Sequence, residues 1–207
     1  MSGAAPEIRL VVFDFDGVMI DFVPERRLQF LEQLTGKPAA DIHAAIWGSD
    51  FEIGAEQGAY RTGDAYLAAF NERIGFQLSR AQWIAARRSA MQLRPDMVEY
   101  ARSLSERVSL ALLTNNGALL HEALPELVPE VCGVFIKNLH ASYEFGARKP
   151  DTEVFTRLLE HCRVPAQQAV FIDDYYEFIQ GAISAGMHGI HFQNLPQLRA
   201  ALEPLLR

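Results

Sequence analysis

The residues of this chain that could perform chemistry stand directly after short apolar segments. One segment ends in Asp14 and Asp16, whose i and i+2 spacing directs both carboxylates to the same side of an extended strand. Another ends in Asp173 and Asp174, two adjacent carboxylates that repel one another and therefore need a cation or hydrogen-bond donors. Such paired carboxylates favour a hard divalent cation such as Mg²⁺.

Groups that could bind an oxyanion occur at two further places in the chain. Thr114 and Asn115 open a Thr-Asn-Asn-Gly turn, whose hydroxyl and backbone N–H groups can hold phosphate oxygens. Lys149 is a compact cation suited to a phosphate or to a nucleophilic carboxylate. Alone, each motif is also typical of an ordinary turn, a helix cap or a solvated basic pair. Together they indicate Mg²⁺-assisted phosphoryl transfer.

The elements that must position these groups alternate between strands and helices. Short, nearly continuous apolar runs are typical of strands that are buried on both faces of a parallel sheet. Five such runs predict strands at Ile8–Phe13, Val108–Leu113, Val134–Ile136, Ala169–Ile172 and Gly189–Phe192. Helical spacing predicts helices at Pro95–Leu104, Ala118–Leu127, Thr152–Cys162, Tyr176–Ala185 and Leu195–Leu206. The predicted fold class is α/β, with a Rossmann-like parallel sheet.

The interval after the first strand breaks this alternation. Between Met19 and Gln92 the sequence shows no core strand, and its turns are marked by glycine-containing segments. Helical patterns occur at Pro24–Leu34, Pro38–Trp47, Asp64–Ile74 and Arg80–Met91. We therefore expect a core domain built from residues 1–18 and 93–207, with a helical cap domain inserted at residues 19–92.

Composition limits the remaining possibilities. The 207 residues include 26 acidic and 19 basic side chains, a net charge of −7 that argues against a nucleic-acid partner. Met1–Arg9 shows no signal-peptide pattern, and no apolar stretch reaches membrane-spanning length, so we expect a cytoplasmic protein without a membrane partner. Cys132 and Cys162 match no disulfide or zinc pattern and are interpreted as buried or partly buried thiols.

The order and spacing of the polar motifs resemble a known family. Asp14-Phe15-Asp16-Gly17-Val18, Thr114-Asn115-Asn116, Lys149-Pro150 and Asp173-Asp174 are similar to motifs I to IV of the haloacid dehalogenase (HAD) superfamily. The predicted helical insertion is similar to that family's type-1 (C1) cap. The segment around Arg148–Asp151 resembles small sugar-phosphate phosphatases. The segment after Asp174 departs from the family pattern, because aromatic residues stand where many relatives have small or polar ones.

The resemblance implies a role for each motif residue. Asp14 would be the nucleophile that forms an aspartyl-phosphate, and Asp16 would be the general acid and then the general base. Mg²⁺ would be bound by the Asp14 carboxylate, the Asp16 backbone carbonyl and the Asp174 carboxylate, with Asp173 assisting through water. Thr114 and the Asn115 backbone would hold phosphate oxygens. Lys149 would neutralise the phosphate and orient the nucleophile.

The resemblance also narrows the reaction. An aspartate at position 16 favours phosphate esters over carbon–halogen bonds, because it supplies a proton donor for the leaving group. The expected function is Mg²⁺-dependent hydrolysis of a small phosphorylated metabolite, such as a sugar phosphate. A phosphomutase of the same superfamily and a non-catalytic phosphate-binding pseudo-enzyme are the alternatives. The sequence leaves the oligomeric state open.

Several residues of the insertion carry a second interpretation. Arg26, Arg27 and Arg61 could contact the leaving group of the substrate, but solvated helix faces are the favoured interpretation. Trp47 and Trp83 are expected to pack the inserted helices against one another, with a substrate-lid role for Trp47 as the alternative.

Overall fold

A five-stranded parallel sheet organises residues 7–206, the part of the chain that the computed structural model describes. The strands along the chain are β1 Leu10–Phe13, β2 Ile20–Phe22, β3 Met91–Leu93, β4 Ser109–Thr114, β5 Leu139–Ala141, β6 Ala169–Asp173 and β7 His188–His191. Five of them form the sheet in the order β5-β4-β1-β6-β7, with every neighbouring pair parallel. The predicted α/β fold class is confirmed.

The helices cover both faces of this sheet and fill the interval after β1. Their bounds are α1 Pro24–Thr35, α2 Ala39–Ile46, α3 Phe51–Glu56, α4 Gly63–Ile74, α5 Arg80–Ser89, α6 Pro95–Leu104, α7 Ala118–Leu127, α8 Pro129–Val134, α9 Thr152–Cys162, α10 Tyr176–Ser184 and α11 Leu195–Leu202. Within the described chain, no helix is both long and apolar enough to cross a membrane.

Strand β1 lies at the centre of the sheet because both of its faces are apolar. Its four residues are fully buried, and Val12 is paired with Ala111 of β4 on one side and with Phe171 of β6 on the other. This register places the carboxyl ends of β1, β4 and β6 side by side, which is where open α/β sheets bind ligands. The polar motifs therefore start from adjacent points on one edge.

The predicted strand at Val134–Ile136 is wrong. Pro129 starts the short helix α8, which continues to Val134, and Ile136 beyond it is 78% exposed. The edge strand β5 lies further along, at Leu139–Ala141, where Leu139 pairs with Leu112. Only three residues pair there, so the local sequence carries little of the apolar signal of a strand.

The insertion also differs from its predicted pattern in two places. Its helices α1, α2, α4 and α5 lie close to their predicted positions. Helix α3, in contrast, lies in a glycine-containing segment whose pattern predicts turns. In addition, β2 and β3 form a small antiparallel sheet at the two ends of the insertion, with Phe22 opposite Met91. Arg94 Nε reinforces this pair by donating to Asp21 at 2.7 Å.

Polar contacts join the inserted helices to the rest of the chain. The Glu122 carboxylate on α7 accepts hydrogen bonds from the Gly63 N–H at 2.7 Å and from Arg80 at 2.8 Å. On the other side, Arg148 Nε donates to Glu56 at 2.5 Å. These contacts hold α3, α4 and α5 over the carboxyl edge of the sheet.

The two cysteines are free and half-buried, as the sequence predicts. Burial raises the pKa of both the Cys132 and the Cys162 thiol. Residues 1–6 and 207 lie outside the described chain, as do the corresponding ends of the predicted core domain and most of Met1–Arg9, the segment without a signal-peptide pattern.

Two glycines permit close approaches beside the motifs. Gly17 has φ of 90°, and a Cβ there would lie 2.3 Å from the Asp174 carboxylate. Gly181 on α10 lies against the loop after Lys149, where a Cβ would lie 2.2 Å from the Pro150 carbonyl oxygen. Because that neighbour is backbone, a larger residue at position 181 would push helix and loop apart.

The close packing at Gly181 can be tested by the sign of the change in the free energy of unfolding when an alanine replaces the glycine. Gly181→Ala should destabilise the protein by about 1–3 kcal/mol through overpacking, although alanine is the better helix former. The control is Gly133→Ala on α8, where a Cβ would meet nothing within 4 Å. It should stabilise the protein by roughly 0.5–1 kcal/mol. Urea unfolding measures both, and a stabilising effect of Gly181→Ala would contradict the close approach.

Candidate active site

The polar motifs meet at the carboxyl edge of the sheet. Asp14 follows the last residue of β1, Thr114 ends β4 and Asp173 ends β6. Lys149 reaches the same place from the loop before α9, and all four residues are buried, with at most 5% exposure. The structure thus brings together side chains that are distant in the sequence.

Lys149 lies between two carboxylates. Its Nζ donates to Asp14 Oδ1 and to Asp173 Oδ2, each at 2.6 Å, and the lysine is 1% exposed. Burial alone would lower the pKa of Lys149, but the two adjacent carboxylates outweigh it and raise that pKa. The lysine is therefore held as a cation and restricts the orientation of the Asp14 carboxylate.

The backbone of Lys149 is fixed by Asn115. The Asn115 side chain accepts a hydrogen bond from the Lys149 N–H at 2.9 Å and donates to the Lys149 carbonyl oxygen, also at 2.9 Å. The Asn115 side chain thus satisfies both the N–H and the carbonyl oxygen of Lys149, which positions the ammonium group from the β4 end. The predicted contact of the Asn115 backbone with phosphate stays a prediction.

Aromatic residues on both sides of Asp173 and Asp174 in the sequence complete the lysine's surroundings. The ring centroids of Phe171 and Phe178 lie 5.2 and 5.0 Å from Lys149 Nζ, within the range of a cation–π contact. The Tyr175 N–H donates to Asp173 Oδ1 at 2.8 Å, so both oxygens of that carboxylate accept a hydrogen bond. Of the aromatic residues in the segment after Asp174, Phe178 thus contacts the Lys149 ammonium group with its ring, whereas Tyr175 contributes its backbone N–H.

Three carboxylates form a cluster that could hold a cation. Oxygens of Asp14, Asp173 and Asp174 lie within 4.8 Å of one another. Asp174 Oδ1 is buried and has no hydrogen-bond partner among the described residues. Burial raises the pKa of both Asp14 and Asp174, and the nearby Asp173 raises both further, although Lys149 opposes the rise. Three acidic groups against one lysine leave an excess of two negative charges, so the donor set fits a hard divalent cation.

Thr114 is connected to Asp16 through a neighbour that the sequence analysis did not assign a role. The side-chain amide of Asn116 donates to Thr114 Oγ1 at 2.7 Å and to Asp16 Oδ2 at 3.4 Å. This amide positions the hydroxyl of β4 relative to the second aspartate of the first motif.

The Asp16 carboxylate is not part of the acidic cluster. Instead, Arg87 Nη2 donates to both of its oxygens, at 2.5 and 2.7 Å. Arg87 lies on α5, is 3% exposed and has its guanidinium carbon 4.0 Å from the Phe22 ring centroid. A capping box formed by Ser79 and Gln82 fixes the start of this helix.

Sequence reasoning missed Arg87, although a signal for it exists. Arg87 follows Trp83 by four residues and Ile84 by three, so helical spacing places it on the apolar face of α5. Arg27 occupies the equivalent position on α1, four residues before the buried Leu31. Arg27 is only 5% exposed, so the solvated-face interpretation is wrong for it, whereas Arg26 is exposed as expected.

Sequence comparisons find hydrolases along nearly the whole described chain. The model of the family described as haloacid dehalogenase-like hydrolase matches residues 8–186. The phosphatase MT3486 of Mycobacterium tuberculosis is 26% identical over 188 residues, which cover 87% of this chain and 85% of the relative. The sesquiterpene phosphatase astK of Aspergillus oryzae is 28% identical over 191 residues, which cover 88% and 89%.

Solved structures share the fold. A HAD-like family hydrolase of Porphyromonas gingivalis superposes with a TM-score of 0.81 at 22% identity, covering 98% of this chain and 99% of the other. A HAD family enzyme of Bacteroides thetaiotaomicron, solved in complex with magnesium and inorganic phosphate, has a TM-score of 0.76 at 20% identity and covers 90% and 94%. The order of the motifs, the sheet that aligns them and the family match agree: this chain belongs to the haloacid dehalogenase-like hydrolases.

Proposed function

We propose that this hydrolase is a Mg²⁺-dependent phosphatase that cleaves a small phosphomonoester through an aspartyl-phosphate on Asp14. The observation that carries the proposal is the Asp14 carboxylate held by Lys149 beside the cluster of acidic groups. The phosphatase names of the Mycobacterium and Aspergillus relatives support it. So does the Bacteroides structure with magnesium and phosphate.

The proposal includes a division of labour along the chain. Residues 1–18 and 93–207 form the core domain that performs the chemistry, and residues 19–92 form a cap of the C1 type that covers the site. The contacts of Arg80 and Glu56 with the core, described above, support this division.

Asp14 acts as the nucleophile in this mechanism. Its carboxylate oxygen forms a bond to phosphorus while the bond from phosphorus to the leaving-group oxygen breaks, and that oxygen takes a proton from Asp16. Water then attacks phosphorus, gives a proton to Asp16 and releases phosphate, which restores the Asp14 carboxylate. Lys149 orients Asp14 for the first step, while Thr114 and the backbone of Asn115 hold phosphate oxygens.

Mg²⁺ would be held by the carboxylates of Asp14 and Asp174 and by the Asp16 backbone carbonyl, with Asp173 assisting through water. When bound, the cation neutralises charge on the phosphoryl oxygens and on the acidic cluster. The buried Asp174 oxygen that lacks a partner supports this assignment, because a cation would satisfy it.

Asp16 can act as the acid only after a change in its contacts. The ion pair with Arg87 requires the ionised carboxylate, whereas proton donation requires a proton on the same group. Arg87 therefore has to leave Asp16 before the leaving group is protonated. The observed pair represents the resting arrangement of the site.

The two aspartates of the first motif should fail in different ways. With p-nitrophenyl phosphate and Mg²⁺, Asp14→Asn should lose at least about 10³-fold in kcat because no nucleophile remains. Asp16→Asn should still release a burst of nitrophenolate equal to the enzyme concentration, since this leaving group needs little help from an acid. It should then stall as the aspartyl-phosphate, because water lacks its base.

Stopped-flow absorbance measures the burst, and intact-protein mass spectrometry detects the phosphorylated chain. Asp64→Asn is the matched control, since the Asp64 side chain is 92% exposed and should leave kcat unchanged. Turnover by Asp14→Asn at the wild-type rate would refute the nucleophile assignment. Wild-type inactivity on a broad panel of phosphomonoesters with Mg²⁺ present would refute the phosphatase.

Removal of one acidic group should reveal the metal site. Asp174→Asn removes a carboxylate that forms no ion pair with a described lysine or arginine and whose pKa burial and Asp173 raise, so the metal-free variant should unfold at a higher temperature than metal-free wild type. The variant should also need at least about tenfold more Mg²⁺ for half-maximal activity. Thermal unfolding with EDTA and across a Mg²⁺ titration measures both effects. An unchanged stabilisation of the variant by Mg²⁺ would contradict the assignment.

A further inference from the structure

Two buried arginines face the catalytic residues from the inserted helices. Arg27 on α1 and Arg87 on α5 are 5% and 3% exposed, and both line a small cavity that Asn116 and Gly117 close from the β4 side. Asn116 also contacts Asp16, so this cavity adjoins the residue that, in the proposed mechanism, protonates the leaving group.

Arg27 lacks the partners that a buried guanidinium requires. Its Nε and Nη2 atoms are buried and have no hydrogen-bond partner within residues 7–206. The guanidinium carbon lies between two indoles, 4.9 Å from the Trp47 ring centroid and 4.8 Å from that of Trp83. Stacking orients the group but satisfies none of its N–H donors. Burial accordingly lowers the pKa of Arg27 from its usual value.

Other donors around the cavity are also without partners. Arg87 Nε and Trp83 Nε1 are buried and make no hydrogen bond to any described residue. One acidic group, Glu52, faces the cavity from α3, and one of its oxygens accepts a hydrogen bond from Tyr66 at 2.5 Å. Burial raises the pKa of Glu52, which weakens its ability to balance the arginines. The cavity therefore presents more buried N–H donors than its own residues satisfy.

We propose that Arg27 and Arg87 bind a second anionic group, a carboxylate or another phosphoryl group, on the leaving group of the phosphomonoester substrate. This inference rests on the proposed phosphatase function and narrows its substrate class. A guanidinium pair binds such anions through charge-assisted hydrogen bonds, for which the unsatisfied Nε and Nη2 of Arg27 and the unsatisfied Nε of Arg87 are suited.

The same contact would release the catalytic acid. The cavity now has a volume of only about 10 Å³, room for no more than a water molecule, because Arg87 is directed at Asp16. An anionic leaving group enters when the inserted helices move outward and Arg87 exchanges the Asp16 carboxylate for the anion of the substrate. Asp16 is then available to carry the proton. Recognition of the second anion and activation of Asp16 thus become one event.

Matched substrate pairs test this inference. 2-Phosphoglycolate and ethyl phosphate differ by a carboxylate in place of a methyl group, and fructose 1,6-bisphosphate and fructose 6-phosphate differ by a second phosphoryl group. Wild type should prefer the anionic member of at least one pair by about 10- to 100-fold in kcat/KM. The pair that shows the preference identifies which anion the site binds.

Arg27→Met isolates the site from the catalytic residues. Methionine fills similar space between the two indoles without N–H donors. In this variant the ratio of kcat/KM for the anionic substrate to kcat/KM for the neutral one should fall from about 10–100 to about one. Its unfolding temperature should equal or exceed that of wild type, because an unpaired buried charge has been removed. Arg26→Met, at the exposed neighbouring position, should behave as wild type.

Three results would overturn the anion site while leaving the phosphatase intact. The first is an equal loss of kcat/KM for both substrates of each pair in Arg27→Met. The second is a preference of wild type for an apolar ester, such as farnesyl phosphate, over both anionic substrates. The third is a clear fall in the unfolding temperature of Arg27→Met. The last would show that the guanidinium stabilises the fold.

A binding measurement separates this inference from catalysis. Calorimetric titration with Mg²⁺ present compares phosphonoacetate with ethylphosphonate, neither of which is hydrolysed. Tighter binding of phosphonoacetate than of ethylphosphonate by wild type, together with loss of that difference in Arg27→Met, would support the anion site. If this result is obtained and no ester is hydrolysed, only the phosphatase proposal fails. Equal binding of both phosphonates would overturn the carboxylate site, and the same comparison of methylenebisphosphonate with methylphosphonate decides the phosphoryl one.

Discussion

The buried ammonium group of Lys149 is the interaction on which the rest of the site depends. It neutralises part of the charge of Asp14 at the end of β1 and of Asp173 at the end of β6, two carboxylates that would otherwise be buried side by side. A buried charge left without its partner destabilises a protein strongly, so the loop that carries the lysine has to be held firmly. Asn115 fixes that loop from β4, and the close approach of Gly181 to Pro150 fixes it from α10. The sheet order and the loop packing thus serve one ion cluster.

Charge balance explains how a chain of net charge −7 can accept an anion. The Lys149 cluster retains an excess of two negative charges, and Asp16 is balanced by Arg87. A divalent cation would bring the cluster to neutrality, and the incoming phosphate would then be attracted by whatever positive charge remains nearby. Arg27 supplies such a charge within the insertion. The local field of the cleft is therefore set by a few buried groups, while the surface acidity of the whole chain has little influence on it.

The sequence was informative where elements are long or buried on both faces. Helices α6, α7 and α9 begin and end where helical spacing predicted, and β1, β4 and β6 follow their apolar runs, so the motif residues at their ends could be brought to one edge by inference. Short elements were lost, because β2, β3 and β5 each pair only three residues and are held by neighbours rather than by local pattern. The ion pairs were beyond sequence reasoning for a related reason. Spacing places Arg87 on a buried helix face, but only the packing of α5 against α1 and α7 shows that Asp16 lies opposite.

The arginines on the apolar faces of α1 and α5 conflict with the helical pattern around them. At positions 27 and 87 the spacing of α1 and α5 calls for an apolar side chain, and methionine or leucine would stabilise the packing more than a guanidinium with unsatisfied donors. Folding alone gives no reason to keep two arginines there. Conflicts between local pattern and global packing concentrate at functional sites, where stability is exchanged for preorganised polar groups. Arg87 contacts Asp16 from the insertion, whereas Lys149 contacts Asp14 within the acidic cluster. In the proposed function, the fold would thus separate one set of charges for the reacting phosphoryl group from another for the rest of the substrate.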